Sequence, residues 1–486
     1  MKLILAFLLM SLQVTATCQG GAPTPPPVDF TYYVDFDSGA DTNNGTSTST
    51  PWKRAPGMTG ATNTAAATTL QPGESIAFKG GVTWTAWYPW ALDDGDSGGD
   101  VTYTVDETWY TGGSFTPPVF DGEEDEPGSA GLVTASGVGY ITLNGLKFID
   151  TGTTGVGNDS RTIVLTNCHD ITISNSVFAD NTWFSIYMVF TSAGSYSNFT
   201  LDGNDFSATT AGLWFASAAA NINMHNLTIS NNDYHDFASQ IGDDVHGDGA
   251  LHYFSVAQND ATQYLDGLMI YNNRFYGDFR RTFGASGAMT AFVFCEGSVS
   301  GYIFNNDFSY DPAQASMFDG LLILSTGGNT RDSVVGIYNN SFAAIGTNAM
   351  SAAINLEGMT SGDAITFKNN IIYAPQYAIN LEGSGSVTAY TGDNNVITSS
   401  SGNLVADGSF QSYATWQAAG RDVNSVLGDD PEWVAAPGNE RIGATSPAID
   451  AGADLTSLGI TELNSDKDGV ARPSGADWDA GAFQYN

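Results

Sequence analysis

Cysteine is almost missing from this 486-residue chain: beyond Cys18, only Cys168 and Cys295 remain. Two cysteines cannot make a disulfide framework, so stability has to come from a large core. Basic residues are scarce too, 15 Lys and Arg against 52 Asp and Glu, for a formal net charge of -37. A surface of that sign repels nucleic acid and other polyanions and attracts divalent cations. No apolar run after the first dozen residues is long enough to cross a bilayer. Walker loops, nucleophile elbows and Cys-x-x-Cys pairs are also absent, which leaves nucleotide, serine-hydrolase and zinc-finger chemistry without support.

What is present begins with Met1-Lys2, a largely apolar run from Leu3 to Leu12 and the small residues Thr15-Ala16-Thr17. This pattern predicts a secretory signal peptide over residues 1–17, hence a secreted or cell-surface protein. Cys18 stands where a bacterial lipoprotein box would place its lipidated cysteine, although Val14 is one place early and Thr17 is unusual before the cysteine. It is either a lipid anchor or an ordinary residue of the leader. Residues 18–27, ending in Pro25-Pro26-Pro27, read as an extended tether. The acidic tracts Asp93 to Asp100 and Asp121 to Glu126 read as solvated loops rather than dedicated sites.

The body of the chain repeats. A short strand ending in an Asn pair and then an aromatic recurs as LTISNNDY (Leu227 to Tyr234), MIYNNRF (Met269 to Phe275), IFNNDF (Ile303 to Phe308) and IYNNSF (Ile337 to Phe342), with looser copies at Ile141, Ile171, Phe199 and Ile365. A second β-rich run lies inside each period, as in RTIVLTN at Arg161, SIYMVFT at Ser185, GLWFAS at Gly212 and ALHYFS at Ala250. Two or three short strands per period of about thirty residues, with no helical periodicity between them, specify an all-β fold, a right-handed single-stranded parallel β-helix or β-solenoid. The expected organisation is a cap and first coils over 28–130, the helix over 131–400 and a closing cap over 401–486.

In such a solenoid each coil lies about 4.8 Å above the last, so equivalent side chains form ladders. Alternation points Ile229, Ile270, Ile303 and Ile337 inward, and with them the first Asn of each pair: Asn231, Asn272, Asn305, Asn339 and Asn369. Asp205, Asp233, Arg274 and Asp307 should stack as a salt ladder with one cation among acids. Trp84, Trp87, Tyr88 and Trp90 either cap the first coil or form a platform on which sugar faces stack.

The opening YYVDFDSGADTNNGTSTSTPW (Tyr32 to Trp52) and LQPGESIAFKGGVTW (Leu70 to Trp84) is similar to that of the secreted pectate-lyase-like parallel β-helix proteins. The ending, with DPEW at Asp430, SPAIDAG at Ser446, DKDGVARP at Asp466 and DWDAGAF at Asp477, resembles the closing segment of that superfamily. The resemblance implies the scaffold and not the reaction, since the same fold carries lyases, hydrolases, tailspikes and adhesins.

The coil that departs most from the repeat runs 41 residues, from Tyr234 to Phe275, and holds SQIGDDVHGDGALHYF (Ser239 to Phe254). Insertions carry function more often than packing does. Its glycines let Asp243, Asp244, His246 and Asp248 converge in one loop, where they are the expected catalytic groups. His252 on the following strand, with Arg280 and Arg281 of the next coil, are the expected substrate-binding groups. The same loop also reads as a structural or ion-binding turn. The paired runs NLEG at Asn355 and Asn380 bring Glu357 near Glu382, a step that invites calcium or is simply a solvated edge.

The calcium-dependent lyases of the superfamily use Lys or Arg as base, and the helix region has few of either. The leading expectation is therefore an extracellular enzyme that cleaves a polysaccharide, a hydrolase ahead of a lyase, with Glu296, Glu357 and Glu382 as fallback carboxylates. The alternative is a noncatalytic adhesin, fibre or tailspike that binds polysaccharide.

Overall fold

The computed structural model describes residues 30–485 except 126, 153–159, 238–248, 256–262, 278, 280–289, 311–319, 327–330, 345–351, 375 and 474. Its described residues form a parallel β-helix with three faces. Twelve strands make the first face, from Tyr32–Val34 through Ile222–Ser230, Tyr264–Tyr271, Val299–Phe304 and Val334–Tyr338 to Tyr390–Asp393. The second face includes Lys147–Thr151, Asp233–His235, Arg274–Tyr276, Asp307–Tyr310 and Ser341–Ala344. The third includes Arg161–Thr166, Gly249–Ser255, Ala291–Glu296, Leu322–Ser325 and Ile354–Glu357. Two long strands, Val177–Phe190 and Asp205–Ser217, run through both the second and third faces. Each strand pairs in parallel with its equivalent one coil away, and among the described residues the antiparallel strand pairings lie near the C-terminus.

Inside, the aromatics of the repeat stack in one column. Phe178, Phe206, Tyr234, Phe275, Phe308 and Phe342 have ring centroids 4.6–5.0 Å apart and planes within 9° of parallel. The spacing is that of the strands themselves, so burial and offset stacking reinforce the same register. Ile229, Ile270, Ile303 and Ile337 point inward and are buried as expected.

The asparagine ladder exists, but one residue later than alternation predicts. The first Asn of each pair takes the left-handed conformation: φ is +57° at Asn231, +57° at Asn272, +55° at Asn305, +50° at Asn339 and +58° at Asn369. Asn tolerates that region better than other residues with a Cβ. The turn it makes breaks the strand alternation, so the second Asn is the inward one. Asn204, Asn232, Asn273, Asn306, Asn340, Asn370 and Asn395 are buried and continuous. The Asn306 side-chain amide donates to Asn340 Oδ1 at 2.9 Å and to the Ile270 and Phe304 carbonyls, while its Oδ1 accepts from the Asn273 backbone and side chain. Asp422 closes the upper end by accepting from Asn395, Ser425, Tyr390 and Trp416.

The outward first asparagines serve a different purpose: the C-terminal segment docks on them. Asn369 donates to the Ala453 carbonyl at 2.8 Å, Asn339 to Asp479, and Asn305 to Ser465, while Lys467 donates to the Asn272 carbonyl. The segment therefore runs as a strap along the side of the helix. A second apolar cluster packs Leu455, Ile460, Leu463 and Trp478 of the strap against Phe304 and Tyr338 of the helix.

At the other end Trp84, Trp87 and Trp90 are fully buried with Phe78 and Phe120. They cap the first coils, and the sugar-platform reading falls because their faces are covered by other rings. The acidic tract that starts at Asp93 is not merely solvated: Asp93 accepts from the Leu70 backbone and Asp94 from that of Gly139. Cys168 and Cys295 are free and buried. No helix among the described residues is long and apolar enough to cross a membrane.

Candidate functional site

The connections between the second and third faces change character along the helix. In Val177–Phe190 and Asp205–Ser217 the chain passes that corner without leaving the strand. From the next coil onward it inserts residues there on four successive rungs: 236–248 before Gly249–Ser255, 277–290 before Ala291–Glu296, 311–321 before Leu322–Ser325 and 345–353 before Ile354–Glu357. Asp243, Asp244, His246 and Asp248 belong to the first insertion and Arg280 and Arg281 to the second. All six lie outside the described residues; the described strands that flank the two insertions pair on adjacent rungs.

The outer surface of the third face beside this corner is built by register. Tyr187, Trp214, His252, Phe294, Ile323, Asn355 and Asn380 occupy one outward column, each paired with the next. Arg161 lies 3.7 Å over the Tyr187 ring, Tyr187 stacks with Trp214, and His252 is held edge-on by Trp214 at 4.4 Å and face-on by Phe294 at 4.9 Å. Tyr187, Trp214 and Phe294 are half-buried, whereas His252 is 2% exposed.

Two residues further along the strands runs an acidic column: Glu296, Ser325 and Glu357 are in register, and Glu382 follows one rung above Glu357. Glu296 is half-buried, and its Oε2 lies 3.5 Å from His252 Nε2. His252 is covered rather than presented to solvent. Glu357 is half-buried and Glu382 exposed. Among the described residues no group of three or more His, Cys, Asp and Glu is arranged to hold a metal ion.

The aromatic column was latent in the sequence. Aligning SIYMVFT, GLWFAS and ALHYFS by their inward aliphatic residues superposes Tyr187, Trp214 and His252, a stack that reading the runs one by one does not reveal.

On the second face, Asp205, Asp233, Arg274 and Asp307 are in register, as the repeat requires. Arg274 approaches Asp307 at 3.7 Å, covers the Tyr276 ring and donates to the Gly438 carbonyl, so its role is structural. His235 bridges Asp205 at 3.0 Å and Asp236 at 2.8 Å. The Asp205 hydrogen bond, with Asp236 assisting against partial burial, raises its imidazole to about 9. That contribution to stability is complete below the ordinary value of 6.5 and disappears as pH rises through about 9. A proton NMR titration of His235 should show this raised midpoint, and Asp205→Asn should bring it down; a midpoint near 6.5 in the unaltered protein contradicts the bridge.

The family described as periplasmic copper-binding protein (NosD) matches residues 127–320, less than half of the chain. Among solved structures, a GH136 lacto-N-biosidase from Eubacterium ramulus is 12% identical over 82% of this chain and 67% of that one, with a TM-score of 0.51. The fold is the pectate-lyase-like parallel β-helix. The β-helix also resembles the pectate lyase Pel9A (15% identity, 94% of this chain and 96% of that one, TM-score 0.43) and PfbA, a surface adhesin of Streptococcus pneumoniae (12%, 66% and 82%, TM-score 0.34). No curated protein sequence matches the chain. At such identities the likeness concerns the fold alone.

Proposed function

We propose that this β-helix is an exported enzyme that cleaves a polysaccharide, by hydrolysis rather than elimination, along the outer surface of its third face. The observation that carries the reading is the succession along that surface: half-buried aromatics, on which sugar faces stack, on the rungs up to Phe294, and carboxylates that begin beside Phe294 at Glu296 and continue at Glu357 and Glu382 on the rungs beyond. Rungs lie about 4.8 Å apart. Glu357 and Glu382 therefore stand near the separation of about 5 Å used by retaining glycosidases, and Glu296 and Glu357, two rungs apart, near the upper end of the inverting range. Glu296 is the preferred acid because it is half-buried, follows the aromatic Phe294 on its strand and lies 3.5 Å from the His252 imidazole. Asp243, Asp244, His246 and Asp248 lead by chain continuity into the strand of His252 and are the candidate partners in catalysis. Arg280 and Arg281, from the next rung's insertion, are candidate clamps on sugar hydroxyls or carboxylates.

A panel of neutral and acidic polysaccharides tests this reading. Release of reducing ends without ultraviolet absorbance from new double bonds supports a hydrolase. Absorbance supports a lyase, and retention of a polysaccharide without any cleavage supports the adhesin alternative.

Calcium is a proposed ligand of the Glu357–Glu382 step. Two carboxylates supply at most four of the six to eight oxygens calcium takes, so water or substrate must supply the others. Ion binding to the folded state alone raises its melting temperature. Millimolar calcium should raise Tm relative to chelator, and Glu357→Gln should reduce the shift; identical melting curves reject the site.

A further inference from the structure

The strap meets the second face at a pair of buried acids. Asp307, on the strand Asp307–Tyr310, is 2% exposed, and Glu440, on the strap strand Asn439–Ile442, is fully buried. Glu440 Oε1 accepts from Ser309 Oγ and from the Gly438 backbone, both at 2.7 Å. Asp307 Oδ2 faces Arg274 Nε at 3.7 Å. Among the described residues neither Asp307 Oδ1 nor Glu440 Oε2 has a hydrogen-bond partner, and Ser309, two residues along the strand from Asp307, holds the Glu440 carboxyl on the same side of that strand. Two bare carboxylates side by side in a buried setting repel strongly, and one proton held between them relieves the repulsion and pairs both orphaned oxygens.

We propose that Asp307 and Glu440 share one proton, with Asp307 as the donor and Glu440 as the accepting carboxylate, and that this acid pair fastens the C-terminal strap to the helix. The assignment of donor and acceptor follows from the hydrogen bonds: Glu440 already receives two donors on Oε1, which suits a carboxylate, whereas Asp307 receives none on Oδ1. Asp307 borders a cleft of about 350 Å³ also lined by Arg274, Arg441, Lys467 and Asp468. It is not a second cleavage site, because glycoside hydrolysis needs its carboxyls about 5–9.5 Å apart, with sugar or water between them. The inference is independent of the proposed polysaccharide chemistry.

The charged surroundings set the direction of pH dependence. Burial, then the charge of Glu440, push the Asp307 carboxyl well above its ordinary range, against the opposing charges of Lys467 and Arg274. Lys467, pushed down by burial, faces Asp307, Asp233, Arg274 and Asp468. Arg441 is engaged with Asp468 at 2.6 Å. As pH rises above the ordinary carboxylate range, a released strap lets Asp307 lose its proton while the docked strap retains it. Docking is therefore strongest at acid pH and weakens as pH rises. The buried Lys467 opposes this trend only at alkaline pH, where a released lysine would still be charged.

Hydrogen exchange of the strap segment 430–442 in the full-length chain, corrected for intrinsic rates, tests the pair between about pH 5 and pH 8. Protection in the unaltered protein should fall roughly tenfold or more across that range, about 1.4 kcal/mol per decade. Asp307→Asn keeps a permanent donor toward Glu440, and Glu440→Gln supplies one toward Asp307. Both variants should therefore show protection that is flat with pH and, at pH 8, at least that of the unaltered protein. Flat protection in the unaltered protein overturns the proposal, and so does loss of strap protection at every pH in both amide variants.

Discussion

Glu296→Gln should lower polysaccharide turnover by about a hundred- to ten-thousand-fold, the usual cost of removing a general acid or base, with little change in melting temperature. The amide keeps the shape of the side chain and can still approach His252, so packing between Phe294 and the neighbouring rungs is preserved. Only the ability to give up and take back a proton is lost. Asp244→Asn and Asp248→Asn belong in the same series. If they lower turnover as far as Glu296→Gln, the insertion at the corner supplies the second carboxylate; if they do not, Glu357 is next. Arg274→Gln is the control, since it loosens the contacts to Asp307 and Gly438 while leaving the third face untouched. It should spare turnover at a modest cost in stability. Turnover retained in Glu296→Gln removes Glu296 from catalysis.

The largest effect on stability is expected at the ladder rather than at any charge. Asn306→Leu fits the same space but removes five hydrogen bonds at once: three donated by its amide and two accepted by its carbonyl. Groups on Asn273, Asn340, Ile270 and Phe304 are then stranded without water. Each buried unpaired group costs about 1–3 kcal/mol, so the total reaches several kcal/mol. Asn231→Ala removes an exposed amide from the outward column and loses one bond to Asp202 and one from Asn272. Its cost is confined mostly to the left-handed backbone, about 1–2 kcal/mol. Equilibrium unfolding of the two variants compares them directly, and equal losses would contradict the inward assignment of the second asparagine.

The register of that ladder shows where sequence reasoning succeeds and where it stops. A period near thirty residues and the recurring Ile, Asn and aromatic positions make the solenoid legible, because stacked coils force like onto like. Strand alternation also places Ile229 and Ile337 correctly. It fails at Asn231 and Asn305 because one residue in the left-handed region shifts every later side chain to the opposite face, and no periodic count contains that turn. The strap was equally hidden. Its motifs suggested a closing cap, but only the contacts of Asn305, Asn339 and Asn369 show that it lies along the side. At the candidate site, the long coil and the Glu357–Glu382 step were both legible in the sequence, and the proposed site is built on them. The stack of Tyr187 and Trp214 was not legible because its members lie one coil apart in space and 27 to 38 residues apart in sequence.

The central claim is that sugar binds and is cut on the outer surface of the third face. A crystal structure of Glu296→Gln with an oligosaccharide cut from whichever polysaccharide the panel selects tests it most directly. The account predicts sugar rings along Tyr187, Trp214 and Phe294, with a glycosidic oxygen within hydrogen-bond reach of residue 296. An oligosaccharide seated instead on the first face or in the cleft under the strap would contradict it.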